Sequence, residues 1–187
     1  MPATAWRAAP LAWGHGPVRF EMFIEPTCPY SVKALRKLEP LLDAVGAETA
    51  TIRLCLQSQP WHLFSGVVSR CVLAASTLPA GRDAAWRVLN AVADRREDFV
   101  LENHATGPGR VRSIDDVIRH IESQSGLALM EAFAIPDLDR EIKRHAKYAR
   151  QNGIHVSPTF MLDGLVQPGL GSGDDVAVWA AAIRAAR

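Results

Sequence analysis

The 187-residue chain has only three cysteines, Cys28, Cys55 and Cys71, too few for a secreted disulfide framework. It has no apolar run near the roughly 20 residues that a membrane-spanning helix needs, so no membrane partner is expected. Neither sign of charge is in excess. Lys and Arg total 21 against 20 Asp and Glu, and the net charge of +1 with a pI near 7.8 gives no reason to expect nucleic acid or an acidic membrane surface as partner. Six histidines are scattered without the paired spacing of a zinc motif, and no metal is expected. Internal repeats and low-complexity linkers are also missing. The opening stretch MPATAWRAAPLAWGHGPVRF is broken by Pro10, Gly14, Gly16 and Pro17 and has no continuous apolar core of the secretory kind. With Met1 in place, a cytoplasmic, reducing location is the expectation.

What is present suffices for one α/β domain over residues 1–187: 48% hydrophobic and 22% charged residues can bury a sizeable core without disulfide staples. The most informative run is FEMFIEPTCPYSVKALRKLEP. Val18 to Glu25 reads as a strand, and Pro26 breaks it before a helix begins. Val32, Leu35, Leu38, Leu41 and Leu42 recur near the helical period, with Lys33, Arg36 and Lys37 on the other side. Pro29 suits the first helical position, which places Cys28 at or beside the N-cap. Free amides and the positive end of the helix dipole favour a thiolate there. Pro40 is expected to kink the helix further along.

A second segment, NGIHVSPTFMLDGLV, lies far downstream. A helix is expected to end at Asn152-Gly153, a short strand to run into Ser157-Pro158, and a strand to resume over Thr159 to Leu162. A proline inside such a run demands an edge, a bulge or a cis bond. Asp163-Gly164 then signals a hairpin into Leu165-Val166-Gln167.

Together, the strand–CPYS–helix run, Pro40, and the VSPTF strand with its hairpin resemble the DsbA-like branch of the thioredoxin-fold family of thiol oxidoreductases. The resemblance implies a thioredoxin fold with a central mixed sheet of four or five strands flanked by helices, and a helical insertion over roughly residues 58–150. It implies Cys28 as nucleophile, Pro158 as a cis-proline lying against it, and Ser157 as the residue whose backbone pairs with substrate. Pro29 and Tyr30 become the dipeptide that tunes the thiol. One departure from the family pattern stands out: the second cysteine of C-x-x-C is Ser31, and a hydroxyl cannot resolve a mixed disulfide.

Three readings follow. The first is monothiol chemistry on a protein or small-molecule disulfide, resolved by glutathione as co-substrate with no tightly bound cofactor. The second is resolution by Cys55 or Cys71. The third is a non-catalytic module that holds an extended peptide beside Pro158. Kappa-class glutathione transferases and 2-hydroxychromene-2-carboxylate isomerases resemble the same branch, often with S-P-Y-S where CPYS stands. They supply an alternative in which residue 28 activates glutathione.

The remaining residues have structural readings first. Cys55, on a strand over 48–56 with Ile52, Leu54 and Leu56 alternating, and Cys71, on a helix over 61–78 with Leu63, Val67, Leu73 and Ala74, read as small buried hydrophobes. Trp61 and His62, just past that strand, either line the substrate groove or start the helical insertion, and the structural reading comes first because Trp is chiefly a burial residue. Glu25 can act as a proton relay or as a cap, and its charge opposes a thiolate nearby. His155, just before Ser157-Pro158, either approaches the active face or points into solvent. Helices are expected at 82–95, 113–124, 127–133, 137–152 and 174–186, with a loop over 104–112 and a glycine-rich turn over 169–173.

Overall fold

The computed structural model describes residues 8–186. In chain order the elements are β1 (Ala12–Gly14), β2 (Val18–Ile24), α1 (Pro29–Leu35), α2 (Leu38–Val45), β3 (Ala50–Leu56), α3 (Ser65–Ala75), α4 (Arg82–Asp94), α5 (Ile114–Ser125), α6 (Met130–Phe133), α7 (Leu138–Gln151), β4 (Thr159–Leu162), β5 (Leu165–Val166) and α8 (Val176–Ala185). Short 3₁₀ turns occupy Arg96–Phe99 and Pro108–Val111. The chain divides into two compact units, one formed by Leu11–Gln57 with residues 146–186, the other by residues 8–10 with Ser58–His145.

The first unit is an α/β layer on a five-stranded mixed sheet of order β1-β3-β2-β4-β5. β2 runs parallel to β3 and antiparallel to β4, while β1 and β5 are antiparallel edge strands. Alternate residues of β2 point to opposite faces. One face carries Phe20, Met22 and Ile24, and there Phe20 lies 5.8 Å from both the Phe160 and Trp179 rings. Phe160 and Trp179 are 4.7 Å apart, so α8 is fixed to the sheet by an aromatic trio. The other face carries Phe23, which is buried with Cys55, Ala149, Ile154 and Met161. β1 was not legible as a strand, because Gly14 and Gly16 read as breakers. Both are needed: a Cβ on Gly14 would sit 2.2 Å from the Ala50 carbonyl oxygen, and one on Gly16 would sit 2.1 Å from the Thr49 carbonyl carbon.

Two expectations near the site need correction. The helix over 29–42 is interrupted at Arg36 and Lys37, before Pro40, and not merely kinked at it. Pro40 has no N–H to offer the carbonyl four residues earlier, Arg36, and its ring crowds that carbonyl, so α1 stops one turn upstream. Pro40 itself falls in the first turn of α2, where its missing donor costs nothing. The strand expected before Ser157-Pro158 is a loop instead. Pairing with β2 begins only at Thr159, opposite Phe23, because Pro158 cannot donate to a ladder.

In the second unit α3, α4 and α5 pack against one another and bury Val68, Cys71, Val72, Val88, Leu89, Ile118 and Ile121. Ser113 and Asp116 close a reciprocal capping box on α5. The Arg70 guanidinium donates to the Phe133 and Ile135 carbonyls at 2.8 and 3.0 Å and pairs with Asp139. The helix expected from Trp61 starts at Ser65, because Gln59 to Ser65 is tied into turns: the His62 and Ser65 amides donate to the Gln59 and His62 carbonyls, and the Ser65 hydroxyl accepts from the Gln59 amide at 3.0 Å. Trp61 (51% exposed) and Leu63 (55%) therefore face solvent instead of a helical stripe, and Val68 takes the buried place expected for Val67. The expected loop over 104–112 contains the second 3₁₀ turn, and its Thr106 forms an isolated bridge with Glu102.

The aromatic trio gives a direct test of what holds the sheet unit. Phe20→Ala is expected to lower stability by about 3–5 kcal/mol. The urea midpoint measures this, and a loss below about 1 kcal/mol would mean that the site refills and the trio is not the core.

Candidate active site around Cys28

The site starts from the end of β2. Glu25 is fully buried and wires the following turn from three of its groups. Its carbonyl accepts from the Cys28 amide at 3.0 Å. Its carboxyl accepts from the Thr27 amide at 3.0 Å and from the Thr27 hydroxyl at 2.8 and 2.9 Å. Its own amide donates to the Ser31 hydroxyl at 3.1 Å. Glu25 is thus a turn cap in this structure, and Ser31, also buried, ties the first turn of α1 back to the strand end.

Cys28 is the N-cap of α1 with extended backbone (φ −75°, ψ 128°), and Pro29 holds the first helical position, as the sequence implies. The Cys28 carbonyl accepts from the Val32 amide at 2.9 Å. The amides of Tyr30 and Ser31 have no partner within the helix, and they provide the partial positive charge next to the sulfur. The Cys28 thiol donates to the Ser157 carbonyl, with Sγ 3.7 Å from the oxygen. The Ser157–Pro158 peptide is cis. The loop that bears it is braced at both ends. Ile154 donates to the Ala149 carbonyl at 2.9 Å, Gly153 (φ 68°) closes α7, and the Thr159 hydroxyl donates to the Val156 carbonyl at 2.8 Å.

The structure thus brings Cys28, Pro29, Tyr30, Ser31, Ser157 and Pro158 into one place. Tyr30 (65% exposed) and Val156 (64%) are its exposed apolar surfaces. A cleft of about 450 Å³ lies beside Pro158, lined by Ile154, Val156, Thr159, Val166 and Leu170 among others. His155 also lines it and is exposed.

None of the three cysteines is in a disulfide, and only Cys28, 9% exposed, keeps any accessible surface. Burial pushes the Cys71 thiol from its ordinary 9.0 up to about 12, the Glu122 charge adds to this, and Arg70 partly opposes it. Cys55 is sealed among apolar side chains. Among the described residues no group of three or more His, Cys, Asp or Glu could hold a metal ion, and no helix is long and apolar enough to cross a membrane.

One cluster escaped sequence reading. Glu21, almost fully buried in β2, accepts from the Tyr148 hydroxyl at 2.7 Å and pairs with Arg53 at 3.2 Å. The available signal was a carboxyl group in the middle of the apolar run FEMFI.

No protein-family model matches the chain. No curated protein matches it either. Among solved structures, one from Pseudomonas syringae, provisionally named a protein-disulfide isomerase, is 58% identical, covers 92% of this chain and 97% of its own, and has a TM-score of 0.91. The chain belongs to the DsbA-like thioredoxin-fold family. More distant solved structures share the fold. A thioredoxin-like oxidoreductase from Silicibacter pomeroyi DSS-3 is 20% identical at TM-score 0.66, covering 95% of this chain and 91% of its own. Pseudomonas aeruginosa DsbA2 is 15% identical at TM-score 0.65, covering 96% and 95%.

The different burial of the thiols sets an expected pH dependence. Cys71 binds its proton more tightly folded than unfolded, so between pH 9.0 and about 12 the unfolded chain releases protons that the folded one keeps. The stability this provides is complete below 9.0 and is lost as pH rises toward about 12. Urea midpoints measured across that window should fall, and Cys71→Ala should flatten the fall. An unchanged slope in the variant would assign the alkaline loss to other groups.

Proposed function

We propose that this DsbA-like thiol oxidoreductase works as a monothiol enzyme, with Cys28 reacting with disulfides and glutathione completing the cycle. The observation that carries this reading is the Cys28 sulfur 3.7 Å from the Ser157 carbonyl, with the Ser31 hydroxyl turned to the Glu25 amide. The Cys28 thiolate attacks one sulfur of a disulfide, the S–S bond breaks, and the departing half leaves as a thiolate. The retained half is held as a mixed disulfide beside Ser157-Pro158. Glutathione thiolate then attacks the substrate sulfur, forming a substrate–glutathione disulfide and returning Cys28 as thiolate. Electrons balance without a further oxidant. Cys55 and Cys71 are poor resolving groups because both are buried. The substrates are protein or small-molecule disulfides, and a thiol-rich, cytoplasmic setting belongs to the same reading because the cycle consumes an external thiol.

A second reading, a binding module for extended peptides, is favoured by the cleft beside Pro158 and by the exposure of Val156 and Leu165. Two variants separate the readings. Cys28→Ser is expected to abolish turnover of a glutathione-coupled disulfide substrate and to yield no mixed disulfide by mass spectrometry. Retained turnover in that variant would sink the enzymatic reading, and identical peptide affinity in wild type and Cys28→Ala without any turnover would establish the binding module. Ser31→Cys supplies the missing resolving thiol, and is expected to shorten the lifetime of the trapped mixed disulfide by at least about tenfold in the absence of glutathione.

A further inference from the structure

We infer that the hydrogen bond between Tyr148 and Glu21 is a positioning contact for the Cys28 site, fixing the Ser157 loop where a disulfide-bearing chain must dock. The inference rests on the reading of Cys28 as a disulfide-reactive centre and adds to it two residues outside the site. The site has two halves that are distant in sequence. β2 runs into the turn that carries Cys28, and the last turn of α7 runs into the loop that carries Ser157. Glu21 lies on β2 and Tyr148 on that last turn, so their 2.7 Å hydrogen bond joins the two lead-in elements directly.

The contact is built to hold direction. The Tyr148 ring lies 5.7 Å from Phe23 at an interplanar angle of 29°, and the Arg53 guanidinium lies 5.3 Å from its centroid. Arg53 is the register partner of Glu21 across β2 and β3, and its Nη1 is 3.2 Å from Glu21 Oε1. The buried carboxyl therefore has one oxygen on Arg53 and the other on Tyr148, an arrangement in which loss of either donor leaves a costly unpaired acceptor. Burial first, then the hydrogen bond and charge of Glu21, push the Tyr148 phenol up to about 12, so it stays a donor wherever the enzyme would be assayed. Beyond Tyr148 the chain is stiff. Asn152 donates to the Tyr148 carbonyl at 2.9 Å and Ile154 to the Ala149 carbonyl at 2.9 Å. A shift of the helix end therefore passes to Ser157 and is not absorbed on the way.

A contact that only stabilises the fold would not distinguish between reagents, and this one should. Two probes read Cys28. Iodoacetamide needs the sulfur alone and leaves iodide on forming the thioether. A short extended cysteinyl peptide, disulfide-linked to 5-thio-2-nitrobenzoate, also needs the Ser157 backbone; attack on the peptide sulfur releases the coloured thiolate. Tyr148→Phe keeps the ring and removes the hydroxyl. It is expected to slow the peptide reaction by about three- to tenfold while alkylation stays within about twofold of wild type. Glu21→Gln offers one oxygen to two donors, so its peptide rate is expected to fall between those of wild type and Tyr148→Phe, with alkylation within about twofold of wild type. If Tyr148→Phe fails to fold, Glu21→Leu removes the same bond from the other side and should give the same split. Equal peptide rates in wild type and the folded variant would overturn the inference, as would a parallel fall in both reactions. A wild-type protein that is alkylated at Cys28 but does not react with the peptide disulfide would overturn the functional reading itself, and this inference with it.

Discussion

Antiparallel pairing of β2 with β4 is the constraint on which the site depends. The register sets Phe20 opposite Leu162 and Phe23 opposite Thr159, so the end of β2 lies beside the start of β4. The turn after β2 and the loop before β4 must then meet at one end of the sheet, and these are the segments that carry Cys28 and Pro158. Ladder hydrogen bonds contribute about 1 kcal/mol net each. Burial of Phe20, Phe160 and Trp179 on one face and Phe23 and Met161 on the other contributes about 1.5–3 kcal/mol per side chain, so packing fixes the register that the hydrogen bonds record. A slip of β4 by one residue would turn Phe160 and Met161 to the wrong faces of the sheet.

Within that frame Glu25 decides how the thiol is presented. Its backbone and carboxyl satisfy Thr27, Cys28 and Ser31 in one buried turn. The consequence for chemistry comes from Ser31. Its hydroxyl is engaged as an acceptor for the Glu25 amide, a structural duty that a hydroxyl performs better than a thiol, since sulfur is a weak acceptor. The serine therefore strengthens the turn, and under the monothiol reading proposed above it also leaves the release of a mixed disulfide to an external thiol.

Most of this geometry was legible in the sequence, for local reasons. The N-cap place of Cys28 follows from Pro26 and Pro29, and the β4–β5 hairpin from Asp163-Gly164, because proline and the turn dipeptide act on their own backbone. Capping at Ser113 follows equally from its spacing to Asp116. What was not legible depends on distant partners. β1 hides behind Gly14 and Gly16, whose function appears only when Thr49 and Ala50 approach them. Trp61 and Leu63 continue an apolar pattern into a turn held by Gln59 and Ser65, where tertiary bonding overrides periodicity. The break between α1 and α2 was visible as Pro40, but its position required following the lost bond back to Arg36.

Glu21 is the instructive case of that second kind. The Glu21–Arg53 pair is weak evidence for stability, because desolvating the buried carboxyl offsets much of its attraction to the half-buried guanidinium, and well-packed apolar residues of similar volume often do as well. The strand around Glu21 is otherwise apolar, and Phe23 and Met161 show that this face of the sheet can be filled without charge. Packing alone gives no reason for a carboxyl there. Direction does: an apolar side chain at position 21 would let the last turn of α7 slide over the sheet, whereas a carboxyl shared between Arg53 and Tyr148 accepts only one placement of that turn. The polar cluster thus gives the sheet face the specificity that hydrophobic contacts lack, at the place where the chain turns toward Ser157.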